Sequence, residues 1–192
     1  MVHAQLQNFL NGFNILSPQE IAVSIDAYSL RQIKKGEFLV KEGQICNQVA
    51  FVNTGVFRSF YLNEKEEEST YCMNFPKTFV TAYSSFITGK PSVENLQAMI
   101  DAEVLVTSKS RIDALCNEYP NWMRFMKEMA EGQYLELERR IFGLQSQTAK
   151  TRYLNLLDEH PAYIQEIPLQ FLASYLGISQ RHLSRLRKEI VF

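Results

Sequence analysis

Residues 29–107 break into short apolar runs separated by turn signals, and this texture constrains the fold more than any other feature of the chain. The runs read LRQI, EFLV, QVAFV, VFRSFYL, STYCMNF, LQAMI and EVLVT. The breaks fall at Lys35-Gly36, Glu42-Gly43, Asn53-Thr54-Gly55, Asn63-Glu64-Lys65 and Gly89-Lys90-Pro91. Within VFRSFYL, Val56, Arg58, Phe60 and Leu62 share one face of a strand and Phe57, Ser59 and Tyr61 the other, because successive strand residues point to opposite sides. Many short strands with frequent turns argue a sandwich or barrel rather than βαβ units. An antiparallel jelly roll fits best. The acidic run at 64–68, interrupted only by Lys65, is expected to be a solvated hairpin tip.

Helical patterns flank this region, so the fold class is α+β. Residues 4–11 and 18–28 read as short helices, the second opened by Ser17-Pro18-Gln19-Glu20, a capping hydroxyl followed by Pro and an acid in the first turn. From Ser110 the pattern stays helical to the end, with Pro120 starting a long helix. Its apolar positions, Trp122, Met126, Met129, Tyr134, Leu137, Ile141 and Leu144, advance by threes and fours with one skip near Gly132. Phe125, Leu135 and Phe142 lie off that stripe, so a second face also needs cover. A partner helix in a homodimer would supply it, with Met126, Met129, Leu137, Ile141 and Leu144 at the interface. A further helix runs from Thr148 to about Glu159 and stops at His160-Pro161. The division expected is a sensor at 1–109, a connecting and dimerisation helix at 110–146 and a small helical domain at 147–192.

The segment from Pro168 carries the chemistry. Leu169, Leu172, Ala173 and Leu176 mark one face of a helix, Gly177 permits a sharp left-handed turn, Ile178 plugs it, and Ser179 caps a second helix. Leu183, Leu186 and Ile190 then point inward, and small Ala173 sits where the two helices approach, the spacing of a helix-turn-helix. Gln180, Ser184 and Arg187 are left in one exposed row and Arg181, Arg185 and Lys188 in the next. An amide and several guanidinium forks on one face can read base edges and neutralise phosphates in a major groove. Net charge is −1, yet residues 109–192 hold 12 Lys/Arg against 10 Asp/Glu, whereas 1–108 hold 8 against 11. Positive charge therefore collects where double-stranded DNA would be met.

Other classes find little support. No uninterrupted apolar stretch is long enough to cross a bilayer, and the N-terminal residues lack a secretory pattern, so a cytoplasmic protein with no membrane partner is expected. Cys46, Cys72 and Cys116 have no metal-ligand or CxxC spacing and read as plain thiols. His3, His160 and His182 leave the barrel region without a histidine, which removes both the metal centre of a cupin-type enzyme and a Ser-His-Asp or Cys-His site. No catalytic residue and no metal site is expected.

A jelly roll, a long helix and a C-terminal helix-turn-helix in that order resemble the bacterial Crp/Fnr regulators. Residues 36–43 (GEFLVKEG) look like the family's early hairpin, 49–55 (VAFVNTG) like its next strand pair, 136–141 (ELERRI) like its distal dimer helix and 175–179 (YLGIS) like the turn of its DNA reader. The resemblance implies a cyclic-nucleotide-binding-like sensor and a homodimer on a palindromic operator. It also implies RNA polymerase as a further candidate partner, and Gln180, Arg181 and Arg185 as the main base-contacting residues. Val80-Thr81 stands where the family's cyclic-nucleotide binders have Gly-Glu, and Ser92 or its neighbours where they have the phosphate-binding arginine. A phosphate buried without its bidentate cation is heavily penalised, so cAMP in the usual pose is not expected. Nor is an iron–sulfur or haem ligand set present. Thr81, Tyr83, Ser84, Ser85, Ser92 and Asn95 remain as a candidate pocket for an unidentified small-molecule effector, or as a solvated polar strip. The competing reading is a degenerate sensor acting by protein–protein contact without DNA.

Overall fold

The computed structural model describes residues 2–190. Two helices, α1 (Ala4–Gly12) and α2 (Pro18–Asp26), precede eight strands and a short helix: β1 (Ser29–Ile33), β2 (Phe38–Val40), β3 (Gln48–Thr54), β4 (Phe57–Leu62), β5 (Glu68–Asn74), β6 (Phe79–Val80), α3 (Tyr83–Thr88), β7 (Asn95–Ala98) and β8 (Ala102–Ser108). They form two four-stranded antiparallel sheets, in the orders β1-β8-β3-β6 and β2-β7-β4-β5. This is the jelly roll expected from the alternating runs. The two-residue strand β6, which pairs Ala50 with Val80 and Phe51 with Phe79, was not among the expected runs.

Three apolar clusters explain why these strands read as they do. Between the sheets lie Ile33, Ala50, Val52, Phe57, Val80, Leu96, Ala98 and Val104. The outer face of the first sheet, through Phe51 and Leu105, packs on Leu6, Leu10, Ile21, Trp122 and Phe125 from the helices. The outer face of the second, through Val56, Met73 and Phe75, packs on the C-terminal helices through Tyr153, Ile164, Leu172 and Ala173. Strands covered on both faces lose the polar-out alternation: in β4, Phe57, Arg58, Ser59 and Phe60 are all buried. Gly55 makes the turn between β3 and β4 at φ +95, and a Cβ there would lie 2.4 Å from that of Ala102, so only glycine fits.

The remaining helices are α4 (Lys109–Glu118), α5 (Pro120–Ser146), α6 (Ala149–Glu159), α7 (Pro161–Ile164), α8 (Leu169–Leu176) and α9 (Gln180–Ile190). Residues 110–146 thus hold two helices, because Tyr119 adopts an extended backbone ahead of Pro120, as a residue before proline must. The ends use the expected devices: Ser17 and Glu20 form a reciprocal capping box on α2, and Thr148 caps α6. The last two residues of the small helical domain set at 147–192 lie outside the described residues.

Candidate nucleic-acid interface and effector cavity

Pro168 leads into α8 with an extended backbone, and α8 ends at Gly177 with φ +68. The Ile178 amide donates to the Ala173 carbonyl at 3.0 Å, closing the turn, and Ser179 Oγ accepts from the His182 amide at 3.2 Å to cap α9. Leu183 and Leu186 are buried, Leu183 in one cluster with Leu172, Ala173 and Leu176. Gln180, Arg181, Arg185 and Lys188 are exposed, and none of these cations makes an ion pair among the described residues. His182, absent from the expected set, is exposed beside them.

Two expected members sit differently. Ser184 is half-buried. Arg187 is half-buried as well: its guanidinium donates to the Ile164 carbonyl at 3.3 Å and lies 5.9 Å from the Tyr153 ring centre. The helical spacing put Arg187 on the free face, but its long stem folds back along the domain, so it ties α9 to α6 and α7.

Other arginines pin this unit to the long helix. Arg140 donates to the Tyr175 carbonyl at 2.8 Å while covering the Tyr175 ring, and Arg152 donates to the Leu176 carbonyl at 2.8 Å and the Gln147 carbonyl at 2.6 Å. These are unpaired carbonyls of helix C-termini, where cations are favoured. Of the expected dimer residues, Met126 and Met129 pack on this chain's own core, whereas Leu137, Ile141 and Leu144 are exposed together with Tyr134, Leu135 and Phe142. The first half of α5 therefore covers the jelly roll, and only the second half is free to meet a partner.

The hydroxyl-rich strip is not an open pocket. Thr81 Oγ1 donates to the Gln48 carbonyl at 2.9 Å, and Ser85 Oγ accepts the Cys46 amide at 2.9 Å and donates to the Lys90 carbonyl at 2.5 Å. Ser92 Oγ bonds both the amide and the carbonyl of Glu94, and Asn95 Oδ1 accepts the Glu42 amide at 3.1 Å. Side chains of this kind satisfy nearby backbone groups first; four of the six candidates pin loops, and Tyr83 and Ser84 are exposed. Besides a larger open cleft of about 620 Å³ farther along α5, a cavity of about 170 Å³ lies between the roll and the first half of α5. Thr81, Tyr83, Ser59, Tyr71, Cys72 and Gln133 contribute its polar lining among Phe79, Phe86, Trp122, Phe125 and Met129. That volume falls below the roughly 300–1,000 Å³ of ordinary small-molecule sites.

Burial pushes the Cys72 thiol up to about 11, which keeps it protonated. Tyr71 donates to the buried carboxyl of Glu94, and burial raises Glu94 above its ordinary value, more than the Tyr71 hydrogen bond lowers it. A raised folded value means that the native state holds a proton that the unfolded chain gives up. Stability is then lost as pH rises beyond the unfolded carboxyl value. Glu94→Gln, which keeps an acceptor for Tyr71, is expected to match the wild type in acid and to exceed it in stability at neutral pH. Denaturant midpoints across pH 4 to 8 check this, and parallel curves for the two chains would refute it.

Comparison with known proteins bears on the whole arrangement. Residues 30–119 match the family model of the cyclic nucleotide-binding domain. The transcriptional activator protein Anr of Pseudomonas protegens is 25% identical over 160 residues, covering 83% of this chain and 62% of its own length. A Crp/Fnr regulator structure from Eubacterium rectale superposes over 95% of this chain and 87% of its own, with TM-score 0.70 and 16% identity. The chain thus carries a stretch similar to the cyclic nucleotide-binding domain and shares the overall fold of Crp/Fnr regulators. FixK2 of Bradyrhizobium japonicum has the same fold, with TM-score 0.74 over 85% of this chain and 84% of its own at 19% identity. The present chain spans less than two thirds of the length of Anr. Among the described residues, no strand lies beyond Ser108 and no helix is long and apolar enough to cross a membrane.

Sequence reasoning missed Arg58, Tyr71, Glu94, Arg140 and Arg152. One signal was legible: an arginine between aromatic residues in a strand, Phe57-Arg58-Ser59-Phe60, must find a partner if both faces of that strand are covered.

Proposed function

We propose that this chain is a DNA-binding transcription regulator of the Crp/Fnr family that grips a palindromic operator as a homodimer, through the recognition helix and cap at 179–190. The observation that carries this reading is the free face of α9. Gln180, Arg181, Arg185 and Lys188 are exposed and unpaired among the described residues, while Leu183 and Leu186 anchor the helix from behind. In this reading Gln180, Arg181 and Arg185 meet base edges. Lys188, Ser184 and the free lone pair of Ser179 lie toward the backbone, and Arg187 acts by holding the helix in place. The role is non-catalytic and cytoplasmic, and RNA polymerase is a further candidate partner of the bound dimer.

The sensor's effector, in the same reading, is compact, largely apolar and carries no phosphate. Ser92 or its neighbours stand where a phosphate-binding arginine is expected; the Ser92 hydroxyl is already engaged, and the inward residue two positions on is an acid, Glu94. A phosphate beside a buried carboxyl lacks compensation.

Duplex titration tests the proposal. The logarithm of affinity for an operator selected from a random pool should fall linearly with log salt, as counterions released at the phosphates require. Arg185→Ala should lose sequence preference by about 1–3 kcal/mol at one base position with the circular dichroism spectrum unchanged. Absence of duplex binding at low salt would sink the reading and leave protein–protein contact as the output.

A further inference from the structure

One heavily engaged side chain is one that reading the operator does not require. Arg58, in the middle of β4, is 2% exposed. Its guanidinium pairs with Glu68 Oε2 at 2.6 Å and donates to Gln97 Oε1 at 2.7 and 3.1 Å. It is also sandwiched between two rings, 3.8 Å from the centre of Phe60 and 3.5 Å from that of Phe171. Phe60 belongs to the jelly roll; Phe171 is on α8, the first helix of the DNA-reading unit. Glu68, expected to lie in the solvated hairpin tip, is instead the anion that holds this arginine in place. Beside the stack, Ser174 of α8 reaches the edge of β5, where Ser174 Oγ accepts the Thr70 amide at 2.9 Å and lies 3.4 Å from the Glu68 carbonyl. β5 is the last strand of its sheet, so α8 covers an edge that would otherwise present unpaired backbone groups.

We infer that Arg58, acting through Phe171, is a positioning residue: it locks α8 to the sensor's sheet and thereby fixes the separation and tilt at which a dimer presents its two α9 faces, so that it decides which half-site spacing an operator must have. The inference rests on the DNA-binding reading above. Its physical basis is that spacing on a palindrome mirrors the rigid separation of the two readers. α8 and α9 form one packed unit through Leu172, Ala173, Leu176 and Leu183. Arg140 and Arg152 hold the far end of α8 on α5 and α6. The clasp at Phe171 and Ser174 supplies a second line of attachment, and two lines fix a rotation that one leaves free. Among the described residues, the Ser174 hydroxyl bonds to β5 rather than to the recognition face, and Phe171 lies over Arg58, so the clasp can be loosened without changing a base-reading side chain.

The test uses the full chain as wild type and Phe171→Ala, with two measurements. The first is hydrogen exchange at the Thr70 amide. Phe171→Ala should speed it about tenfold while amides of β3 and β8 keep their protection, since only the local opening is affected. The second is selection from duplexes with fixed half-sites and a spacer of varied length. The wild type should take a narrow range of spacers and Phe171→Ala a broad one, with the same half-site preference in both. A merely structural role would lower all binding without widening the range. Unchanged Thr70 exchange together with an unchanged spacer range overturns the inference. If the wild type binds no duplex in the pool, the DNA-binding reading and the spacer claim fall together. The exchange result then still decides the clasp itself: faster exchange in Phe171→Ala upholds the lock, and equal rates refute it.

Discussion

Ile141→Glu is expected to leave a folded monomer at micromolar concentration, with operator affinity reduced more than about a hundredfold. The second half of α5 carries Tyr134, Leu135, Leu137, Ile141, Phe142 and Leu144, all exposed in the single chain, with Ile141 itself 53% exposed. Six large apolar side chains on one helix segment form the kind of patch that marks an interface. Burying a side chain such as leucine or isoleucine contributes about 1.5–3 kcal/mol, so a helix pair that covers these residues on both chains outweighs the cost of association. In a two-fold dimer one substitution acts twice, placing carboxylates from both chains in an apolar seam without partners, at several kcal/mol for each buried ion. Exposure of Ile141 in the monomer is what makes the fold survive: no contact of the single chain's core is lost. Loss of the dimer would then separate two half-site contacts that otherwise act together. Sedimentation at micromolar concentration and the thermal melt of the same sample check both halves of this. A dimer of unchanged strength would move the interface off the α5 stripe.

Much of this was legible in the sequence, for reasons that differ by element. Alternation and turn residues exposed the jelly roll because a strand's period of two survives wherever the chain is regular. Gly177, Ala173 and the leucines around them exposed the helix-turn-helix because sterics at one crossing demand them. What stayed hidden depends on partners remote in sequence. Arg58 needs Glu68, Gln97 and Phe171 to be brought to it, and no local pattern reveals that. The same blindness affected the hydroxyl strip: Ser85 and Ser92 read as pocket-lining groups until loop carbonyls and amides appear beside them. β6 is two residues long, below what periodicity can register. The apolar period of α5 ran without distinction through two environments. Met126 and Met129 turn to the chain's own core while Ile141 does not, and a period of 3.6 says which face is apolar but not what covers it.

That division of α5 sets the other large effect. Trp122→Ala is expected to destabilise the chain by about 3–5 kcal/mol, the range for emptying a fully buried large aromatic site. Trp122 is wholly buried in the cluster formed with Leu6, Ile21 and Phe125, meeting the Phe125 ring edge-on at 5.2 Å. Its indole N–H donates to Ser24 Oγ at 2.9 Å, and Ser24 donates in turn to the Glu20 carbonyl at the start of α2. One side chain therefore joins the N-terminal helices, the first turn of α5 and the wall of the 170 Å³ cavity. Trp122→Phe separates the two contributions, since it keeps most of the apolar area and gives up the hydrogen bond, worth about 1 kcal/mol. Denaturant unfolding of both variants decides the matter: the Ala chain should fall well below the Phe chain, and equal losses would mean that the bond to Ser24 rather than packing dominates. The Ala variant should also weaken the dimer, which Ile141→Glu disrupts directly. An α5 no longer held at its first half presents its second half less rigidly, and a looser helix loses more entropy on pairing. A Trp122→Ala chain that is less stable yet dimerises with wild-type strength would show that the two halves of α5 act independently, leaving the cavity beside its first half mechanically uncoupled from the exposed apolar stripe of its second.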